Sequence, residues 1–126
     1  MDNRTITEAA FNAVLYLALN EGQRAAEACV PEPVQFRTGN TVYPVCTEGL
    51  CGFAWVTIKP ATTPFARWLK KQESDDYRIH RGCYGGLELW PSLHTQSIAR
   101  KKAWADAVAK RLKAADVNAV AGDRLD

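Results

Sequence analysis

The segment GFAWVTIK, residues 52–59, decides the fold, because it is the strongest β-strand pattern in this chain of 126 residues. Successive side chains of a strand face opposite sides of its sheet. Phe53 and Trp55 therefore share one side, and Ala54 and Val56 share the other. Both sides are largely apolar, which is typical of a strand in the middle of a sheet that is covered on both faces. We therefore predict a central strand that is buried on its two sides.

Helical patterns flank this strand. The first helix is predicted to begin at the capping box Thr5-Ile6-Thr7-Glu8 and to end before Pro31. The last helix is predicted to begin at Thr95 or Ser97, and its apolar residues recur at helical spacing, with Trp104 at the flank of the buried stripe. A short helix is predicted after Thr63-Pro64, where threonine caps and proline occupies the first helical position.

Shorter β patterns complete the predicted sheet. Residues 34–37 and 41–45 indicate a hairpin with a three-residue loop, and Pro44 favours a sheet edge for it. Residues 77–81 and 87–90 indicate two strands around a glycine bend, and residues 117–121 indicate a closing strand before a charged tail. The predicted fold is a single α+β domain over residues 1–126. An antiparallel or mixed sheet of four to five strands packs against two long helices and one short helix.

Composition limits the classes of function. The apolar fraction of 47% and charged fraction of 24% are those of a globular protein. The net charge of +2 does not by itself point to nucleic acid or to a membrane surface. No apolar run approaches the roughly 20 residues that span a bilayer, and the first residues do not resemble a secretory signal. We expect a setting in which cysteines stay mostly reduced.

Four residues could in principle form a metal or thiol site: Cys46, Cys51, His80 and Cys83. Zinc takes cysteine and histidine ligands, but it usually takes them from close pairs with shorter spacing than these. Plain packing of the cysteines or a Cys46–Cys51 disulfide are the alternatives. His80 or His94 could serve as a general base, yet no carboxylate partner or oxyanion loop is recognisable. We therefore predict no catalytic residue, no cofactor and no metal.

A basic stretch interleaved with aromatic residues could contact nucleic acid or another partner. Its cations are Arg67, Lys70, Lys71, Arg78 and Arg81. Rings and cations together suit single-stranded nucleic acid, because bases stack on the rings while the cations hold phosphates. Three acidic residues in the same stretch and the small net charge favour a solvated surface instead.

Several short patterns resemble small proteins encoded by tailed bacteriophages. They are CGFAWV at 51–56 with IKP at 58–60, Phe65-Ala66 with Leu69, Tyr84-Gly85-Gly86 with Trp90, KAWA at 102–105 and AGDRLD at 121–126. The resemblance implies a viral origin, and hence either a virion component or a small host-directed factor. The expected location is therefore the virion or the host cytoplasm. It carries over no catalytic or binding residue.

The sequence thus favours a non-enzymatic phage structural or assembly protein of the neck or tail-completion type. Its partners would be further copies of itself or other virion proteins, joined through a sheet edge or the charged tail. The alternative is a host-directed accessory factor that binds nucleic acid or a host protein. A zinc- or thiol-dependent enzyme is the third, less favoured hypothesis.

Overall fold

The computed structural model describes residues 3–72, 74–82 and 85–126, with side-chain surroundings for all of these except 3–6, 34–37 and 42–46. The described chain contains three helices and six strands. In order they are α1 (Asn3–Ala28), β1 (Val34–Thr38), β2 (Thr41–Cys46), β3 (Gly52–Ile58), α2 (Pro64–Lys70), β4 (Tyr77–Arg81), β5 (Leu87–Pro91), α3 (Ile98–Ala114) and β6 (Ala119–Leu125). The α+β class and the set of two long helices and one short helix are confirmed.

Four strands form one antiparallel sheet in the order β4-β5-β3-β6. The predicted central strand is confirmed, since β3 pairs with β5 on one side and with β6 on the other. The closing strand is longer than predicted. It runs to Leu125, so the predicted charged tail is instead the second half of an edge strand paired with β3.

The hydrophobic core lies on one side of this sheet only. Helix α3 packs on β3 and β6, and α1 packs along α3. The even-numbered residues of β3 are fully buried beneath α3, whereas Phe53 and Trp55 on the other side are only half-buried. The prediction that β3 is covered on both faces is therefore wrong, because among the described elements the helices all seal the same side. Each fully buried leucine on that side, such as Leu89, stabilises the fold by about 1.5–3 kcal/mol.

The two long helices approach each other closely at Gly22. A side chain added there would meet Val108 Cγ2 at 2.6 Å and Trp104 Cδ1 at 2.8 Å. Trp104 is itself only 2% exposed, so its predicted position at the flank of the stripe is wrong. The missing side chain of Gly22 makes room for the indole ring between the helices.

Caps decide where the last two helices begin. Thr63 Oγ1 accepts a hydrogen bond from the backbone N–H of Ala66 at 3.3 Å, as predicted for α2. For α3 the cap is Ser97, whose Oγ accepts from the backbone N–H of Arg100 at 3.3 Å. Both predicted cap candidates take part, since Thr95 Oγ1 accepts from the backbone N–H of Ser97 at 3.1 Å.

The predicted hairpin is present, but β1 and β2 form a separate two-stranded sheet rather than an edge of the main one. Its loop has two residues, because Thr38 and Thr41 pair.

Arg100 joins the end of this hairpin to α1. The guanidinium donates to Glu48 Oε2 at 2.5 Å and to the carbonyl oxygen of Ala26 at 2.7 Å. The hydrogen bond from Arg100 holds the pKa of the Glu48 carboxyl below its usual range.

Candidate functional site

Three aromatic rings form a cluster on the side of the sheet that the helices leave uncovered. Phe53 and Trp55 project from β3, and Trp90 projects from the neighbouring β5. The indoles of Trp55 and Trp90 stack with centroids 4.9 Å apart and planes 17° from parallel. Phe53 meets Trp90 edge-on at 6.2 Å. All three rings are half-buried, so the cluster keeps part of its surface in solvent.

The indole of Trp55 packs against the backbone of β6. Gly122 is the residue opposite Trp55 in the β3–β6 ladder. A side chain at that position would lie 2.9–3.0 Å from Cε2, Cζ2 and Nε1 of the indole. Real side chains essentially never approach so closely, so the glycine is what lets the ring lie across β6 toward the sheet edge.

Cations surround this aromatic cluster. The guanidinium carbon of Arg124 lies 5.2 Å from the centroid of Phe53, and Lys101 Nζ lies 5.0 Å from it. Both distances are within the range of cation–π attraction. Strand β4 adds Arg78, which pairs with Trp90, and His80, whose ring lies 5.7 Å from that of Trp90.

We call this solvent-facing side of the four-stranded sheet the open face. Its residues, given by the strand register, are Phe53, Trp55, Thr57, Arg78, His80, Glu88, Trp90, Val120, Gly122 and Arg124. A groove of about 440 Å³ crosses the open face between the stacked indoles and the two glycines Gly82 and Gly86. Glu88 lies in this groove, where its Oε1 accepts a hydrogen bond from Trp90 Nε1 at 3.1 Å.

The predicted metal or thiol residues do not converge where the structure describes them. His80 is level with Glu88 and hence with Thr57, whereas Cys51 lies six residues further along the chain. At about 3.4 Å per residue that separation is roughly 20 Å. Cys83 and the side chain of Cys46 lie outside the described residues. Within the described residues, no group of three metal-ligating side chains occurs.

The predicted basic stretch is distributed over different surfaces. Its three cations on or next to α2 are exposed on the helix side of the sheet, where Phe65 and Leu69 of the same helix enter the core. The register separates the other two. Arg78 pairs with Trp90 and belongs to the open face, whereas Arg81 pairs with the buried Leu87 and points to the helix side. The three cations on the helix side are Arg67, Lys70 and Lys71.

The sequence pattern does not predict the open face as a site, because the apolar alternation of β3 indicates that Phe53 and Trp55 are buried. One signal was present in the segment itself: the large rings occupy the odd positions and the smaller aliphatic side chains occupy the even ones. The proximity of Trp55 to Trp90 could not be predicted from the sequence, because it depends on the pairing of β3 with β5.

Comparison of the chain with family models, with curated proteins and with solved structures finds no match in any of the three. Among the residues that the structure describes, no helix combines the length and apolar character needed to cross a bilayer.

Proposed function

We propose that this protein is a non-enzymatic binding protein whose open face holds single-stranded nucleic acid. Bases stack against the rings of Trp55, Trp90 and Phe53, while the surrounding cations hold the phosphates. The observation that carries the proposal is the half-exposed aromatic cluster on the two central strands, bordered by cations on both flanking strands.

The distribution of charge supports this ligand more than the total charge does. On the described strands of the open face, Arg78 and Arg124 are cations and Glu88 is the single acid. Lys59, which lines the groove, and Lys101 at the cluster add two more positive charges.

The proposal assigns recognition and not catalysis. Cys51 and His80, the two described members of the predicted thiol or metal site, are too far apart for one to activate the other. His94 is exposed in the loop before α3. Under this proposal the protein works in the host cytoplasm, where single strands arise during replication and transcription.

Titration of the full chain with a short oligothymidylate, followed by tryptophan fluorescence and by anisotropy of a labelled strand, tests the proposal. If Lys59, Arg78 and Arg124 each contact one phosphate, the logarithm of affinity should fall with the logarithm of salt with a slope of about −2. A fourfold rise in salt should then weaken binding roughly 20-fold.

Substitution of one ring separates stacking from charge. Trp55→Ala should weaken binding by about 1–3 kcal/mol if it stacks on one base. Tyr16→Ala is the matched control, because Tyr16 is an aromatic residue that is 68% exposed on α1, away from the sheet. Failure of the wild-type chain to bind any strand at low salt, or equal losses in both variants, would contradict the proposal.

A second candidate is the phage assembly protein that the sequence analysis favoured, acting through protein–protein contacts. It is supported by the outer edge of β6, which no strand among the described residues pairs with. Val120 and Leu125 on this edge strand are 57% and 61% exposed. An unpaired edge with exposed apolar side chains can accept a strand from another copy or from a neighbouring virion protein.

Light scattering over a range of concentrations tests this second candidate, together with mass spectrometry of purified phage particles. It predicts a closed homo-oligomer, or presence of the chain in the particle. A strict monomer that is missing from particles would count against it.

A further inference from the structure

Glu88 carries a negative charge on a surface that we propose to bind phosphate groups. Within the described strands it is the one carboxylate that the register puts on the open face, opposite His80 on β4 and Thr57 on β3. A carboxylate repels phosphate groups, so at this position it lowers affinity for a nucleic-acid backbone unless it accepts hydrogen bonds from a base. Its surroundings therefore bear on which base the groove can hold.

The carboxylate is held in place at one side of the groove. Its Oε1 accepts a hydrogen bond from Trp90 Nε1 at 3.1 Å, which fixes it next to the ring on which a base would stack. The groove is also lined by two glycines, Gly82 and Gly86, which carry no side chains. A side chain on Gly82 would lie 3.5 Å from Glu88 Oε2 and would narrow the approach to that oxygen.

The acceptors of this carboxylate match one base better than the others. A carboxylate has two oxygens with about four lone pairs, so the hydrogen bond from Trp90 leaves acceptor sites on both oxygens. Guanine presents two neighbouring donors, N1–H and the N2 amino group, to such a pair. Cytosine and adenine each present one amino group beside a ring acceptor, and thymine presents a single N–H between two carbonyl oxygens.

We propose that Glu88 is a specificity-determining residue, and that the groove beside Trp90 selects guanine from a single strand. This inference rests on the proposed function, since it assigns the base that the same open face prefers. A bidentate contact of this kind discriminates between bases by roughly 5- to 150-fold. We expect a preference in that range for a strand with guanine in the groove.

The test compares oligothymidylates in which one central position is thymine, guanine, cytosine or adenine, bound to the full-length chain. Glu88→Gln keeps the size of the side chain but replaces one acceptor oxygen by a donor. It should abolish the preference for guanine, so that the guanine strand binds Glu88→Gln no more tightly than plain oligothymidylate does. Glu32→Gln removes an equal charge from an exposed loop position and should leave the preference unchanged. Circular dichroism confirms that each variant is folded.

The outcomes separate the inference from the function on which it rests. Guanine preference in the wild-type chain that disappears in Glu88→Gln supports the inference. Equal affinity for all four strands, or a preference that persists in Glu88→Gln, overturns it, while the proposed function stands if Trp55→Ala still weakens binding. Binding to none of the strands overturns both, and an effect of Glu32→Gln as large as that of Glu88→Gln overturns the assignment to the groove.

Discussion

Replacement of Gly122 by alanine should disturb the open face without removing any of its rings. The new Cβ would lie 2.9–3.0 Å from three atoms of the Trp55 indole, whereas carbon atoms in contact prefer about 3.5–4.0 Å. The ring must therefore move by roughly 0.5–1 Å or swing away from β6. Because Trp55 is half-buried at the surface, it can move into solvent. We expect the free energy of unfolding to fall by about 1 kcal/mol, the low end of the range for overpacking.

Two measurements follow this change. The stacked pair of Trp55 and Trp90, with centroids 4.9 Å apart, should give a coupled-tryptophan signal in circular dichroism, and Gly122→Ala should reduce that signal. Affinity for a single strand should fall by about 1 kcal/mol or more, which is at least roughly fivefold, as the stacking surface is displaced. Val120→Ala is the matched control, since Val120 lies on the same strand and the same face but is 57% exposed.

Each result has a separate meaning. An unchanged tryptophan signal in Gly122→Ala would refute the packing of Trp55 across β6. A reduced signal with unchanged affinity would refute the role of Trp55 in binding. A loss of affinity in Val120→Ala as large as that in Gly122→Ala would show that β6 acts through something other than the position of the indole.

Three further predictions concern the fold. Gly22→Ala should destabilise the protein in urea denaturation, although alanine favours an isolated helix by about 1 kcal/mol, because the new Cβ would lie 2.6 Å from Val108 Cγ2. Ser97→Ala should lower the free energy of unfolding by about 1 kcal/mol, because the N-cap hydrogen bond of α3 is lost. Since Arg100 lowers the pKa of Glu48 in the folded state, the stability from this pair is present above the ordinary carboxyl pKa and is lost as pH falls through the lowered one. Thermal melts should therefore show an advantage of the wild-type chain over Glu48→Gln at neutral pH that disappears in acid.

Local rules predicted most of the elements. Thr63-Pro64 marks the start of α2 because a threonine oxygen can accept from the third helical N–H, and a proline lacks only an N–H that would be unpaired there. The alternation of residues 52–58 identified β3 for a similarly local reason. The helix cap and the strand alternation depend only on residues that are adjacent in the chain, so both can be predicted from the sequence.

The side of the sheet that the helices cover could not be predicted in the same way. A strand that is apolar on both sides can lie in a sheet with helices on both faces. It can also lie in a sheet with helices on one face only, where the apolar side chains of the other face pack against neighbouring rings and cations. The second case applies to Phe53, which lies on the face without helices and packs against Trp90, Lys101 and Arg124. The strand order that brings these residues together involves separations of up to 71 positions, and periodicity within one segment carries no information about it.

The candidate site was missed for this same reason. Cations that are close together in the sequence, such as Lys70 and Lys71, predict a surface on one segment. The open face instead takes Arg78 and Arg124 from opposite edges of the sheet. The phage-like patterns and the assembly hypothesis stay predictions.

Because β3 is buried on one side only, substitutions at its alternate positions should have different effects. At Ala54, Val56 and Ile58 a substitution acts on packing beneath α3, so selection there acts through the amount of folded protein. At Phe53 and Trp55 a substitution leaves the packing beneath α3 intact, so it changes what the open face can bind more than it changes the amount of folded protein. Saturation mutagenesis read out by abundance and by activity should therefore give two profiles along this one strand, each with a period of two residues and each out of phase with the other.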